Sequence, residues 1–373
     1  MNKKKILCFC LALGAFSAMM AQETLSLSQC LQMAVDNNLS LQKSRNEIAK
    51  GKYSISENQA KLLPQINAVA QLNDNFTPPV SVTDGSAYGK PYNVTKTLQY
   101  NASVGLQLQM PLYNQMVNTA IDIAKIADHL NQLSYEKARE DLIVQTAKMY
   151  YMAQNTAEQI RLVNDNIKRL EELYGITQAF YDNQMSLEVD VKRVKLNIEN
   201  LTVQRDNAIA MLDQQYTMLK YVIDYPAEKQ IKVSDVNPGE IETVNANGLN
   251  TNLYELQLLE KRKELAQKQT QLAKDGYLPS VSLTGSLMYS AFTDKIEHWI
   301  HSGESNHWYG SNGIGIQLRV PVFDGFEKRS KIRRAKMEEE NARIGYEDAL
   351  KGMQANYMNA VSEVNNSQRN YKK

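Results

Sequence analysis

The chain says one thing twice. Leu63-Pro64-Gln65-Ile66 recurs about 215 residues later as Leu278-Pro279-Ser280-Val281, and Val104–Asn114 recurs as Ile314–Asp324. In the second motif, Gly105-Leu106-Gln107-Leu108 and Met110-Pro111 answer Gly315-Ile316-Gln317-Leu318 and Val320-Pro321. Only the loop between the two motifs changes length, by about five residues. A duplication of this period fixes architecture before any single motif is read. One unit of helix, two strands and helix has been used twice, so each copy can be checked against the other.

The amino terminus has a different logic. Lys3, Lys4 and Lys5 precede an apolar run from Ile6 to Met20, which ends at Ala21. That run is too short to span a bilayer as a helix and has the layout of a secretory signal peptide, predicted over residues 1–21. Cys8 and Cys10 lie inside the apolar run and no Cys follows the predicted cut, so a lipid anchor is not expected. Cys30 is then the one remaining thiol, and the fold must hold without an internal disulfide. Losing the three lysines takes the formal charge from +1 to about −2, which offers no electrostatic case for nucleic acid.

Two periodicities organise the rest. Leu27, Leu31, Ala34, Val35, Leu39 and Leu41 have helical spacing, with Ser26 or Ser28 as the expected N-cap and Pro64 closing the helix after about Leu62. Strict alternation follows. Ile66, Ala68, Ala70 and Leu72 share one face, and after a loop Tyr100, Ala102, Val104, Leu106, Leu108 and Met110 share another. The second copy repeats this with Val281, Leu283, Leu287 and Tyr289, then Ile314, Ile316, Leu318 and Val320. Thr77–Lys96 and Thr293–Gly310 read as exposed connections. From Asn114 to about Tyr181 there is no proline, which predicts on the order of 100 Å of continuous helix. Its late seam, Ile160, Val163, Ile167, Leu170, Tyr174, Thr177 and Tyr181, resumes after Asp182-Asn183-Gln184 as Leu187, Val191, Val194, Ile198, Leu201, Arg205, Ala208, Leu212, Gln215, Leu219 and Val222. Spacings of three and four in alternation predict an antiparallel coiled-coil hairpin. The expected organisation is a first repeat over 22–226, a polar linker over 227–247 and a second repeat over 248–373.

Strands of about 10 residues or more, apolar on one face and Gln-, Asn-, Ser- and Gly-rich on the other, suit a wall between lipid and water. Phe76, Tyr100 and Phe292 fall at the loop ends and Tyr113, Tyr277 and Phe323 at the helix ends, like interfacial girdles. A soluble sheet packing its apolar face on a helix is the alternative. Four strands cannot close on themselves, and an open edge is forbidden in lipid. Closure between chains would give eight strands from two copies or twelve from three, and only twelve leave an aqueous lumen. A trimer is therefore expected of a conduit.

In this order and duplication, the motifs resemble the TolC-type outer-membrane efflux family. Leu25–Asn38 resembles the family's opening, and Gly276-Tyr277-Leu278-Pro279 resembles the start of its second copy. The resemblance covers essentially all of the chain after the signal peptide. It implies an α+β membrane protein: a homotrimer with a 12-stranded barrel in the outer membrane and a long helical tunnel in the periplasm. Such a protein is a passive exit duct for small molecules or proteins. Its implied partners are outer-membrane lipid, a periplasmic adaptor (membrane fusion protein) and an inner-membrane pump, as in efflux or type I secretion. Pro64 and Pro279 would mark where the chain enters the barrel, and Pro111 and Pro321 where it leaves. The hairpin tip, Asn183, Gln184, Met185, Ser186, Leu187 and Asp190, would dock the adaptor and gate the tunnel. The family often has Gly in this turn, where this chain has Asn or Gln; Asn can take the left-handed conformation a tight turn needs. From Pro321 to Lys373 the chain has less than half the length that the first copy spends between Pro111 and Pro226, so the second hairpin is expected to be incomplete.

Other constellations carry less. His298, His301, His307 and Glu304 crowd one loop but are read as polar loop residues rather than a metal site. Arg329, Lys331, Arg333, Arg334 and Lys336 read as a solvated helix start beside lipid headgroups, balanced by Glu338, Glu339 and Glu340. No phosphate-cradling, nucleophile-elbow or zinc-protease motif is present, so neither an enzyme nor a cofactor is expected. The rival class is a periplasmic adaptor or scaffold with a coiled-coil hairpin and soluble β-domains, against which the duplicated strand pair argues.

Overall fold

The computed structural model describes residues 23–235, 248, 250, 252–295, 297 and 308–371. The predicted signal peptide, most of the predicted linker and the loop histidines with Glu304 lie outside the described residues. The chain divides into two compact units that cut across the duplication: one of residues 1–47, 133–248 and 363–373, the other of 48–132 and 249–362.

The first unit is built on the helical hairpin. Strand β1 (Glu23–Leu25) leads into α1 (Leu27–Asn37), and α2 (Leu39–Ala60) follows. Ser26 is the N-cap: its Oγ accepts from the Gln29 N–H at 3.3 Å while Gln29 Oε1 accepts from the Ser26 N–H at 2.8 Å. The single helix expected up to Leu62 is broken at Asn38, whose backbone is extended. Asn38 Oδ1 accepts from the N–H groups of Ser40 (2.9 Å) and Leu41 (3.3 Å), starting α2, and its Nδ2 donates to the Val222 carbonyl at 3.1 Å. Helix α3 (Gln115–Asp182) and α4 (Glu188–Ile223) form the hairpin, and the positions predicted for the seam are the covered ones, except Tyr181 and Leu187.

Within the stretch read as a linker, Ile231–Val233 forms a further strand, β6, paired in parallel with β1. Leu25, Cys30, Ala34, Tyr150, Ala153, Leu219, Ile223, Ile231 and Val233 pack there into one buried cluster. Tyr150 ties it together: its hydroxyl donates to the Leu25 carbonyl (3.2 Å) and accepts from the Ser234 N–H (3.1 Å).

The second unit holds the strands. β2 (Gln65–Asp74), β5 (Tyr100–Tyr113), β7 (Ser280–Thr293) and β8 (Trp308–Arg319) form one antiparallel sheet in that order, so the two copies meet at β5 and β7. Opposite Gly105 the β7 backbone comes so close that a Cβ would run into the Leu287 carbonyl and Met288. The loop expected at Thr77–Lys96 is partly ordered as a hairpin of β3 (Val80–Asp84) and β4 (Tyr92–Lys96). Trp308, Tyr309 and Gly310, read as loop, already belong to β8. Below the sheet, α5 (Tyr254–Asp275) is fastened to α3 by polar contacts, one of them buried. The Thr119 hydroxyl donates to the Asp275 carboxylate, which also accepts from Gln271 Nε2 at 2.7 Å, and Lys268 meets Asp122 at 3.0 Å. Helix α6 (Glu327–Tyr371) follows β8.

Candidate functional site

Two places concentrate the sequence-predicted residues. The first is the hairpin tip. α3 ends at Asp182 in a left-handed turn centred on Gln184, with φ of 61°. The Gln184 N–H donates to the Tyr181 carbonyl at 2.8 Å and the Met185 N–H to Phe180 at 2.8 Å, the paired bonds of a Schellman cap. The left-handed position thus falls on Gln184, not on Asn183. Asn183 keeps its helical bond to the Ala179 carbonyl, which also accepts from its Nδ2 at 2.8 Å.

Ser186 Oγ donates across the turn to the Thr177 carbonyl at 3.3 Å, and Leu187 precedes α4 without a side-chain cap. Glu188 and Asp190 in the first turn of α4 suit the positive end of the helix dipole. Glu188 pairs with Lys192 at 2.8 Å, which raises the Lys192 pKa, and Asp190 pairs with Arg193 at 3.6 Å. These pairs are exposed and contribute little to stability. Met185 and Leu187 are 73% and 68% exposed, so the tip presents apolar side chains ringed by charge.

The second place is the sheet. Its register puts Ile66, Ala68 and Ala70 beside Leu108, Leu106 and Val104, these last two beside Leu287 and Tyr289, and Leu283 and Val281 beside Ile316 and Leu318. One mainly apolar face therefore runs over all four strands, interrupted by Asn312 on β8 and by Asp74 at the loop end of β2. The opposite face aligns Gln65, Asn67 and Gln71 with Gln109, Gln107 and Ser103, then Thr284, Ser286 and Ser290, then Gly315 and Gly313. Much of the apolar face is open, with Val104, Leu106, Leu287 and Tyr289 exposed and β8 exposed along its whole length, while Ala291 and Thr293 at the loop end of β7 are buried. Among the described residues, β2 and β8 each keep one edge unpaired.

The prolines sit at the helix ends of the strands. Pro64 and Pro279 immediately precede β2 and β7, and Pro321 lies two residues past β8. Pro111 lies inside β5, where the pairing with β7 slips between Pro111 and Tyr113, as a residue without an N–H requires. Past Pro321, Asp324 accepts from the Lys328 N–H and Nζ, both at 3.0 Å, which holds its carboxyl below the usual range. Sequence reading passed over this anchor of α6, although Asp four residues before Lys at a helix start signals it.

Elsewhere a cleft of about 480 Å³ between the start of α2 and the end of α4 is lined by Asn38, Lys220, Tyr221, Asp224 and Tyr225 among others, with Lys220 Nζ tied to the Ala227 carbonyl. It gathers no nucleophile with a base. Among the described residues no three His, Cys, Asp or Glu side chains converge as a metal site.

Residues 30–219 and 250–372 match the family described as outer membrane efflux protein. Over 368 residues the chain is 23% identical to the outer membrane protein TolC of Escherichia coli (strain K12), covering 96% of this chain and 71% of that protein. The outer membrane protein VceC of Vibrio cholerae has a similar structure, with a TM-score of 0.70 at 15% identity over 92% of this chain and 79% of VceC. The CmeC outer membrane channel of Campylobacter jejuni superposes with a TM-score of 0.66 at 18% identity, over 93% and 74% of the two chains.

Proposed function

The chain belongs to the outer membrane efflux protein family and is an outer-membrane transport protein, and we propose that three copies of it form one passive duct. The observation that carries this is the sheet: a mainly apolar face over four strands, with an open edge on either side. Water does not tolerate the exposed apolar face, and lipid does not tolerate the open edges, in one chain alone. Pairing β8 of each copy with β2 of the next removes every edge and gives twelve strands, wide enough for an aqueous lumen. The apolar face then meets lipid and the Gln/Asn/Ser/Gly face lines the lumen.

The helices continue the duct into the periplasm. There the tip around Gln184 docks a periplasmic adaptor, with Met185 and Leu187 as apolar contacts and Asp190 on the rim, and the adaptor links the duct to an energised inner-membrane pump. The cargo is small molecules in efflux or protein in type I secretion. The protein performs no chemistry on it. Purified chain in planar bilayers tests this: stepwise ion conductance from a detergent-extracted, heat-resistant trimer is expected. Recovery from the soluble periplasm without detergent, with no conductance, would overturn it.

A further inference from the structure

The four strands of the sheet carry two charged residues, Asp74 and Arg319. Asp74 lies at the loop end, in line with Leu72 on the apolar face, and accepts from Gln99 Nε2 at 2.9 Å. Arg319 is different. It is the last residue of β8, pairs with Ser280, and shares the polar face with Gln317, Ser282, Gly315 and Thr284. It is exposed and carries no ion pair among the described residues. The nearest acids along the chain are already engaged, Asp324 with Lys328 at 3.0 Å and Glu327 with Lys331 at 2.6 Å.

We propose that Arg319 is the selectivity residue of the duct: three copies form a guanidinium ring at the helix-side mouth of the barrel that favours anionic solutes, those bearing carboxylate or phosphate groups. The inference rests on the trimeric barrel proposed above and adds what that barrel prefers to pass. Closure puts β8 beside β2 of the next copy, and β2 offers Gln65, Asn67, Gln71 and Asn73 on the lumen face but no carboxylate. The guanidinium therefore stays uncompensated across the seam as well as within the chain. The rest of the lumen face is neutral, so this ring is its one fixed charge. Rings of Arg or Lys select anions in other pores for the same electrostatic reason. An arginine stays protonated at every physiological pH, so the preference is permanent.

The test is the reversal potential of reconstituted trimers under a KCl gradient. Arg319→Gln is expected to lower the chloride-to-potassium permeability ratio by about twofold or more near 0.1 M salt, where charges act over about 10 Å, and the difference shrinks near 1 M. Arg319→Lys keeps the charge and is expected to keep the ratio. As a second reading, Arg319→Cys in a conducting trimer is expected to react with a water-borne anionic thiol reagent, while the buried Cys30 does not. Trimers of Arg319→Gln that conduct with an unchanged ratio would overturn the ring while leaving the duct intact. Failure of the unaltered chain to conduct at all would overturn the duct, and the ring with it.

Discussion

Two regions of this molecule use the same side chains to opposite ends. At the joint of α1, α3 and α4 with the β1–β6 pair, Leu25, Leu219 and Ile223 are fully buried. On β8, Ile314 and Ile316 are 77% and 72% exposed. Leucine and isoleucine do not choose these fates by composition. The joint brings three helices and two short strands of one chain around a buried apolar centre, so it is finished by the chain itself. The sheet has its strands and register but an apolar face left largely open and, among the described residues, two unpaired edges; in the proposed trimer, lipid and other copies complete it. The helical joint is thus complete within one chain, whereas the strands, on the proposed assembly, depend on their surroundings.

Substitutions break or sharpen that contrast. The largest effect is expected at the joint, where Leu219→Ala leaves a cavity and costs about 2–5 kcal/mol in denaturant unfolding of the detergent-solubilised protein. Ile316→Ala, with the same loss of methyl groups on the sheet, is expected to cost far less, because no protein packs there. Next in size is a charge on the sheet. Ile316→Lys is expected to cost about 2–4 kcal/mol of assembled-barrel stability, whereas Ser286→Lys on the opposite face is expected to be tolerated. Equal penalties for the two lysines would undo the assignment of faces.

A smaller effect lies at the tip. Gln184→Gly is expected to stabilise the hairpin by about 1 kcal/mol, seen as slower hydrogen exchange of the Met185 amide, because glycine takes the left-handed conformation at no steric cost. The smallest concerns Cys30. Burial pushes its thiol from 9.0 up to about 11. The folded chain holds that proton more tightly than the unfolded chain, so the contribution to stability is full below pH 9.0 and is lost as pH rises through about 11. Cys30→Ala is expected to remove that decline from the stability profile, and maleimide is expected to label native Cys30 far more slowly than the unfolded chain.

What was legible in the sequence follows from the range of the interactions involved. The strands could be read because alternation is a local pattern, and the duplication supplied an independent check on each. The coiled-coil seam was legible for the same reason, from Ile160 to Val222. Less visible was the break at Asn38, because the apolar spacing of α1 and α2 runs through it and only the Asn side chain cuts the ladder. β6 is three residues long and exists because it meets β1 some two hundred positions earlier, a contact no window on the sequence contains. At the tip, the turn was located to within a residue, but the left-handed position was not. Gln is a poor formal choice there, and the pair of carbonyl acceptors on Phe180 and Tyr181 decides the matter. The anchor Asp324 and Arg319, the lone charge on the polar face of the sheet, are visible only once helix start and strand register are in place.

The central claim is that the open edges of β2 and β8 close between copies. The most direct measurement is the mass of the intact protein extracted in mild detergent, with the bound detergent accounted for. Three chains per particle, dispersing to single chains only when the barrel is unfolded, is the predicted result. A stable single chain that stays in solution without detergent, its β8 apolar face open to water, would contradict it.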